Sequence, residues 1–352
     1  MKSYDIFNDT PKELPKYKAD FLLMASVTKT CEIEGITQAG IPGLIHLTPT
    51  LDAEFISSGR VFSLPELAET PNGVPTPALL TKAVDNLAGF SSIEVANLGL
   101  EVLPKQTKLH NFDIKPSNSI ADGADIEAKK VFLKGMEFGS KYELKGSYLI
   151  VGESTPSGTT TAEASIRALG FDAKGCFSSS FLDNPKNIKE QTIQKALSLI
   201  NEEMSDFEKL SVVSDNMLLF TAGFIYEATK RFEVVLAGGT QMAAVMLIAD
   251  KQRESMLLRP NHKNLTLATT KWVAKDEKSD IKKLLGFLSY EPNAIYTSFS
   301  FENTEIEVLK KYDEGEAKEG VGAGGALSYG VSHGLKNDDI VREIELMMYE
   351  MM

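Results

Sequence analysis

From about residue 147 onward, short apolar runs alternate with helix-period segments, and this pattern predicts an α/β protein with a three-layer, Rossmann-like core. The apolar runs are nearly continuous, which is typical of parallel strands in a sheet covered by helices on both faces. We therefore expect a mostly parallel sheet. Ligands of such sheets bind in a crevice at the carboxyl ends of the strands.

The predicted elements follow one another along the second half of the chain. The candidate strands are Tyr148–Val151, Leu210–Val213, Glu233–Leu236, Thr266–Ala268 and Ala294–Ser300. The candidate helices are Thr160–Leu169, Ile188–Glu203, Gln241–Asp250, Ile281–Leu288 and Asp338–Met352. In the N-terminal third, which is rich in proline and glycine turns, a helix is predicted to begin at Pro77, because proline suits the first turn of a helix.

Composition and charge argue against several classes of function. A net charge of −12 argues against nucleic-acid and anionic-membrane partners, because binding to them requires a basic surface. The two cysteines and four histidines show no metal-ligand spacing, so we expect neither a metal site nor a cofactor. The N-terminus shows no secretion signal, and no apolar run approaches the roughly 20 residues of a membrane span. We expect a cytoplasmic protein.

The most informative segment begins where the first of these predicted strands ends. Gly152 and Glu153 close the apolar run, and Ser/Thr-rich residues lead into an alanine-rich helix. Backbone N–H groups, hydroxyl groups and the helix dipole then converge on one point, which predicts a phosphate site. An ordinary strand-to-helix turn with capping threonines fits the local pattern about equally well. The loop lacks the Lys-Ser/Thr pair of a nucleotide-hydrolysing P-loop, so a single phosphate is expected, with Glu153 facing a positively charged sugar carbon.

A second candidate segment, residues 313–326, is acidic and rich in glycine. Glu319 stands just before closely spaced glycines that include Gly320 and Gly322. Glycines let the backbone approach a flat ligand, and a carboxylate at their edge can accept a proton from it. A flexible linker to the last helix explains the composition equally well. A third small-residue loop contains Gly238 and Gly239, and the three loops together predict one pocket.

Taken in their order along the chain, the three segments resemble motifs of the nicotinate-nucleotide–dimethylbenzimidazole phosphoribosyltransferase (CobT) family. The family loop Gly-Glu-Met-Gly-Ile-Gly-Asn-Thr-Thr is similar to residues 152–160, and Gly-Gly-Phe-Glu-Ile-Ala-Ala is similar to residues 238–244. The family's Glu-Gly-Thr-Gly-Ala, which holds its catalytic glutamate, is similar to residues 319–323. A helix pattern of the family matches Lys189, Ile193, Ala196 and Leu197.

The chain also departs from the family pattern. Thr155 and Ser157 replace two glycines of the loop, and Gly158 replaces its asparagine. The family's N-terminal Lys-Pro-Pro-Gly-Ser-Leu-Gly motif is absent, and residues 33–43 carry a different proline and glycine pattern. That pattern is similar to a divergent, CobT-related branch. The fold and the phosphate site are therefore expected to carry over better than the identity of the acceptor base.

The resemblance implies transfer of a 5-phosphoribosyl group from nicotinate mononucleotide to a benzimidazole or purine-like base, with release of nicotinate, in cobamide synthesis. Glu319 is the implied general base, and Glu153 lies near the ribose. Lys189 either pairs with an anionic group of the donor or is a solvated surface lysine. The other implied substrate-binding residues are Thr155, Ser157, Gly158, Thr159, Thr160, Gly238, Gly239, Gly320 and Gly322.

The expected organisation is one phosphoribosyltransferase unit over residues 1–352. Its α/β core would span about 90–312, and a small helical lobe would combine about 1–35 with 313–352. The resemblance also implies a homodimer. Two other classes stay open, namely a different enzyme that processes phosphoribosyl groups or nucleosides, and a non-catalytic mononucleotide-binding protein that regulates or scaffolds a pathway.

Overall fold

An eight-stranded sheet forms the middle layer of the protein. The structure is a computed structural model and describes residues 1–182, 185–256 and 261–351. The strands are β1 (Ser3–Asp5), β2 (Ala19–Ala25), β3 (Ser92–Asn97), β4 (Leu109–Asn111), β5 (Tyr148–Ser154), β6 (Val234–Ala237), β7 (Leu265–Thr270) and β8 (Asn293–Thr297). Their order is β1-β8-β7-β6-β5-β2-β3-β4, and every pairing except β1 with β8 is parallel.

Helices cover both faces of this sheet. They are α1 (Thr48–Ser58), α2 (Ala78–Ala88), α3 (Ala128–Lys141), α4 (Gly158–Ala168), α5 (Lys186–Leu197), α6 (Asp206–Val213), α7 (Asn216–Ala228), α8 (Thr240–Met256), α9 (Lys271–Ala274), α10 (Ile281–Gly286), α11 (Glu307–Glu314), α12 (Ala323–Ser332) and α13 (Asn337–Met351). One hydrophobic core joins the sheet to α3, α4, α6, α7, α8 and α10. A second core joins the other face to α1, α2, α12 and α13. The predicted three-layer α/β fold is confirmed.

Side chains of the central strands alternate between the two cores, as the two-residue period of a strand requires. On β5, Leu149 and Val151 pack in the first core, whereas Tyr148 and Ile150 pack in the second. Because both faces are covered, β5 is buried along its whole length. This explains why the strand reads as a continuous apolar run in the sequence.

Most of the predicted elements are found close to their expected positions. The strands predicted from Tyr148, Glu233, Thr266 and Ala294 correspond to β5, β6, β7 and β8. The predicted helices correspond to α2, α4, α5, α8, α10 and α13, although α5 ends at Leu197 rather than Glu203. Met352, the predicted end of the last helix, lies outside the described residues.

The strand predicted over Leu210–Val213 is wrong, because these residues form the end of α6. Ser205 caps this helix by accepting a hydrogen bond from Glu208 N, and the Glu208 side chain bonds back to Ser205 N. Such a capping box fixes a helix start, and the short apolar run continues the helix. The sheet also begins well before residue 90, because β2 lies between β5 and β3. The expected core boundary near residue 90 therefore differs from the structure.

Candidate active site

A cavity opens at the carboxyl end of β5, next to the loops that follow β6 and β7. It holds about 880 Å³ of space, part of which is open to solvent. All three small-residue loops line it. Of the predicted site residues, those that line the cavity are Glu153, Thr155, Ser157, Gly158, Thr159, Gly239, Glu319 and Gly320. Thr160, Lys189, Gly238 and Gly322 lie next to these residues in the chain or in space but outside the cavity lining.

The loop between β5 and α4 has an unusual backbone and unsatisfied polar groups. Ser157 has a φ of 65°, in the left-handed region that residues other than glycine seldom adopt, and α4 begins directly after it. The Ser157 hydroxyl is buried without a hydrogen-bond partner, and so is the Thr160 hydroxyl. Buried polar groups are normally satisfied, and Ser157 also lines the cavity, so its hydroxyl group is available to a ligand there.

Lys189 on α5 is buried behind this loop and is therefore not the solvated surface lysine that the sequence also allowed. Its Nζ donates to Thr159 Oγ1 and to the Ser178 carbonyl oxygen, both at 3.1 Å. Burial lowers the pKa of Lys189 to about 8. A bound anion would offset this desolvation and keep the lysine charged. We refer to residues 155–160 together with Lys189 as the anion side of the cavity.

Glu153, the next-to-last residue of β5, is almost fully buried. Gln241 Nε2 donates to its Oε2 at 3.0 Å. Burial is the main cause that raises the pKa of Glu153 to about 8, and the nearby charges of Glu319 and Asp215 contribute to the rise. At neutral pH, Glu153 therefore tends to keep its proton unless a positive charge enters the cavity.

Glu319 lies in a tightly held segment, so the linker alternative is wrong. Its Oε2 accepts hydrogen bonds from Thr270 N at 2.9 Å and Thr269 Oγ1 at 3.2 Å. Its Oε1 accepts from Gly324 N at 3.0 Å and Gly320 N at 3.2 Å. Burial raises the pKa of Glu319 to about 7 in spite of these four bonds. A carboxyl group with a pKa near neutrality suits proton transfer.

The backbone around Glu319 is held in a strained conformation. Val321 has a φ of 52°, which is exceptional for a β-branched residue. Its N–H donates to the Glu153 carbonyl oxygen at 2.8 Å, and its own carbonyl oxygen accepts from Thr81 Oγ1 at 2.7 Å. These bonds hold the conformation and join the segment to the end of β5. Strain of this kind is found preferentially at functional sites.

Glycines bring the two glutamates together. A Cβ atom added to Gly238 would lie 3.7 Å from Glu153 Cγ, and one added to Gly239 would lie 3.6 Å from Glu319 Cβ and Cγ. Two consecutive glycines after β6 therefore lie against both carboxyl-bearing side chains. A Cβ atom added to Gly152 would lie 3.0 Å from Gly322 N, so the main chains of the two glutamate segments are also in contact.

Asp52, a third buried carboxyl group of the cavity, was not indicated by any pattern in the sequence. It lies on α1 and accepts hydrogen bonds from Thr76 Oγ1 and Ser154 Oγ, both at 2.7 Å. Burial raises its pKa to about 6. No local motif surrounds Asp52, and the only sequence signal nearby is the Thr48-Pro49 helix start, which places Asp52 on a helix. Asp52, Glu153 and Glu319 form what we call the carboxyl side of the cavity.

Lys318 and Asp215 are further buried charged residues near the cavity that the sequence analysis missed. Lys318 forms a buried ion pair with Asp276, with 2.9 Å between Nζ and Oδ2. Asp215 caps α7 through Leu218 N and accepts from Thr161 Oγ1. Within residues 1–182, 185–256 and 261–351, no cluster of three His, Cys, Asp or Glu side chains has a geometry that could hold a metal ion. In the same ranges, no helix has the length and hydropathy needed to span a membrane.

The fold is that of nicotinate-nucleotide–dimethylbenzimidazole phosphoribosyltransferases. Two crystal structures from Thermus thermophilus, of this enzyme and of CobT, each superpose with a TM-score of 0.60 and 16% sequence identity. Each superposition covers 95% of this chain, and 84% or 85% of the other protein.

The chain belongs to the UPF0284 family. A UPF0284 protein of Sulfurisphaera tokodaii is 33% identical over 346 residues, which cover 97% of this chain and 96% of that protein. A UPF0284 protein of Sulfolobus acidocaldarius is 36% identical over 332 residues, which cover 92% of this chain and 93% of that protein. No protein-family model matches the chain.

Proposed function

We propose that this protein transfers a 5-phosphoribosyl group from nicotinate mononucleotide to a ring nitrogen of a benzimidazole or purine-like base. The products are nicotinate and the base ribotide, which would serve as the lower ligand of a cobamide. The observation that carries the proposal is the pairing, in one cavity, of an unsatisfied hydroxyl group at a helix start with the carboxyl groups of Asp52, Glu153 and Glu319. Nicotinate mononucleotide has a matching charge pattern, since its ribose carries a negatively charged phosphate at C5′ and a positively charged pyridinium nitrogen at C1′.

The anion side suits the 5′-phosphate. Ser157, Thr159 and Thr160 offer hydroxyl groups, and Lys189 offers a buried positive charge beside Thr159. The start of α4 adds the positive end of its dipole. Thr155 and Gly158 also line this part of the cavity. Lys189 lies outside the cavity lining, so its positive charge would act on the phosphate at short range and through the Thr159 hydroxyl that it contacts, and we expect it to contribute the largest share.

The reaction balances without an outside reagent. The bond between ribose C1′ and the pyridinium nitrogen breaks, and its electron pair leaves with the ring as nicotinate. A ring nitrogen of the acceptor forms the new bond to C1′, and the N–H proton of the acceptor passes to Glu319. Because the leaving nitrogen is positively charged at the start, its departure neutralises it, and this step needs no acid to protonate it.

Glu319 is the proposed general base. All of its oxygen lone pairs accept hydrogen bonds in the free protein, so one of these bonds has to open for an acceptor N–H. The Thr269 hydroxyl is suited to this because its 3.2 Å bond is long and the hydroxyl can rotate. A general base typically accelerates such a step by about 10²- to 10⁴-fold.

Glu153 is proposed to stabilise the positive charge that develops on the ribose. Burial is the main cause of its high pKa, and the negative charges of Glu319 and Asp215 nearby add to it. A pyridinium ribose supplies positive charge and therefore favours the ionised form of Glu153. Donor binding is thus expected to release a proton, and the new carboxylate would face the sugar carbon.

The proposal includes a homodimer in a reducing cytoplasm. Leu346, Tyr349 and Met351 on α13 are exposed apolar side chains that a second copy could cover. Both cysteines, Cys31 and Cys176, are buried free thiols, which suits a reducing compartment. Light scattering on the purified protein tests the dimer, and a monomer at micromolar concentration would contradict it.

The direct test is to incubate the protein with nicotinate mononucleotide and a panel of benzimidazoles and purines, and to measure nicotinate release. We expect release that depends on the base and rises with pH through about 7, because Glu319 must lose its proton. Tight binding of the nucleotide with no release for any base would instead favour the non-catalytic alternative, a mononucleotide-binding regulator or scaffold.

A further inference from the structure

Asp52 is a buried carboxyl group that lines the cavity and takes no part in the transfer step described above. Its side chain is 2% exposed and accepts one hydrogen bond on each oxygen, from Thr76 Oγ1 and from Ser154 Oγ. A carboxylate oxygen has two lone pairs, so each oxygen of Asp52 can accept one more hydrogen bond. No ion pair neutralises this group among the described residues. Asp52 is therefore an acceptor held ready for a donor from a ligand.

Its surroundings identify the part of the substrate that it faces. Ser154 directly follows Glu153, and the charge of Asp52 raises the pKa of Glu153. Thr76, which donates to Asp52, directly precedes Pro77, and a Cβ atom added to Gly320, the residue after Glu319, would lie 3.6 Å from Pro77 Cγ. Asp52 therefore lies near both glutamates of the transfer step. A carboxylate repels a phosphate, so Asp52 belongs to the region next to Glu319, where the acceptor base would bind, rather than to that of the phosphate.

The cavity wall beside Asp52 suits a flat ring with one polar edge. Ala68, Val74, Pro75 and Pro77 line it with small apolar surfaces, and Thr76 between the two prolines holds Asp52. The Ser154 hydroxyl group, which also lines the cavity, donates to the other oxygen of Asp52. The faces of the ring would contact apolar atoms, while its edge would meet a hydrogen-bond acceptor.

We propose that Asp52 determines acceptor specificity and selects an aromatic nitrogen base with a hydrogen-bond donor on its edge, a 6-aminopurine rather than an alkylated benzimidazole. This inference rests on the proposed function and names the class of acceptor for the same site. An exocyclic amino group donates to a free lone pair of Asp52. Methyl groups in the same place would displace water from the carboxylate and give it no partner, which is costly for a buried charge. Sites built around such a hydrogen bond discriminate strongly against analogues that lack it.

The test measures base binding by calorimetry, separately from turnover, with adenine and dimethylbenzimidazole as probes. The parent protein is expected to bind adenine at least about 10-fold more tightly. Asp52→Asn replaces one acceptor oxygen by a donor amide and is expected to reduce that ratio to about threefold or less. Asp250→Asn is the matched control, because Asp250 is a buried aspartate outside the cavity that accepts two hydrogen bonds from Ser289. It should keep the preference of the parent.

The possible results separate this inference from the proposed function. Equal or tighter binding of dimethylbenzimidazole by the parent overturns the inference, as does binding of neither base or a preference that survives Asp52→Asn. If Asp52→Asn does not fold, the parent measurement alone still overturns the inference whenever adenine is not the preferred base. A preference that depends on Asp52, without nicotinate release for any base, would leave the inference standing and refute the transferase. Nicotinate release with no preference between the two bases would refute the inference alone.

Discussion

The anion side and the carboxyl side of the cavity differ in what their polar groups lack. On the anion side, Ser157 and Thr160 bury hydroxyl groups that have no partner, and no described carboxylate forms an ion pair with the buried Lys189. On the carboxyl side, Asp52, Glu153 and Glu319 all accept hydrogen bonds, but no described residue forms an ion pair with them. One side lacks an acceptor and the other lacks a cation. A ligand with a phosphate at one end and a positive ring near the middle satisfies both.

Removing the base from the carboxyl side should have the largest effect. We expect Glu319→Gln to lower turnover about 10²-fold or more, because an amide does not accept the proton of the acceptor base. The affinity for nicotinate mononucleotide should stay within a few-fold. Steady-state kinetics and calorimetry measure the two quantities.

The matched control is Glu316→Gln, which changes a buried glutamate of the same segment that lies outside the cavity lining and accepts hydrogen bonds from Thr70 and Asn72. A glutamine at position 319 also faces hydrogen-bond donors on both sides, so melting temperatures are recorded for both variants. Equal loss of turnover in the two variants would show that Glu319 acts only by holding its segment in place.

The next largest effect should come from the charge of the anion side. Lys189→Met fills a similar volume but removes the ammonium group, and we expect about 10- to 100-fold weaker binding of nicotinate mononucleotide. Lys195→Met, on the exposed face of the same helix, is the control. Titration calorimetry gives both affinities. An unchanged affinity in Lys189→Met would contradict the proposal that the phosphate binds on this side of the cavity.

A smaller effect is expected at Thr159, which accepts a hydrogen bond from Lys189 and lines the cavity. Thr159→Val keeps the shape but loses the hydroxyl, so affinity for the nucleotide should fall about 2- to 10-fold. Ser165→Ala removes another buried hydroxyl from α4, one that donates to Thr161 O, and should leave the affinity unchanged. Equal losses in both variants would point to a general weakening of the helix.

The smallest effect concerns the contribution of Glu153, on the carboxyl side, to the pH dependence of the stability of the protein. In the folded protein the pKa of Glu153 is about 8, above its ordinary value of 4.5, so the native state binds a proton that the unfolded chain has already released. Stability should therefore fall as pH rises from about 4.5 to 8. Glu153→Gln removes this term, so the melting temperature of the variant relative to the parent should rise by a few degrees between pH 5 and pH 8.5. Parallel pH profiles of melting temperature would contradict the raised pKa.

The sequence predicted the elements whose signals are local. β5 is a continuous apolar run and α4 follows a glycine and hydroxyl loop, so both are identifiable without tertiary information. Leu210–Val213 misled because a four-residue apolar run fits a strand and a helix equally, and the capping box upstream decides between them. β2 was missed although Ala19–Ala25 is fully buried, because it lies in the N-terminal third, where no regular alternation of apolar runs and helix-period segments is visible.

The site residues also differ in whether a local sequence signal identifies them. Glu153 and Glu319 stand beside glycines whose spacing is visible in the sequence, and Lys189 was found through the resemblance. Asp52 has no such neighbour, because its partners Thr76 and Ser154 come from distant parts of the chain. Lys318 looked like one more charge in an acidic, glycine-rich stretch until the fold brought Asp276 to it. Pairings between distant segments depend on the topology of the sheet, which no local pattern contains.

The contact between Gly152 and Gly322 has a consequence for how such a site can diversify. An added Cβ at Gly322 would lie 2.8 Å from the Phe21 ring and 3.2 Å from Gly152 Cα, so no side chain fits between the two main chains. The distance between the two glutamate-bearing segments is therefore a property of the backbone and does not depend on the size of any neighbouring side chain. Substitutions at the residues that contact the base or the phosphate can therefore change specificity while the distance between the Glu153 and Glu319 segments stays the same.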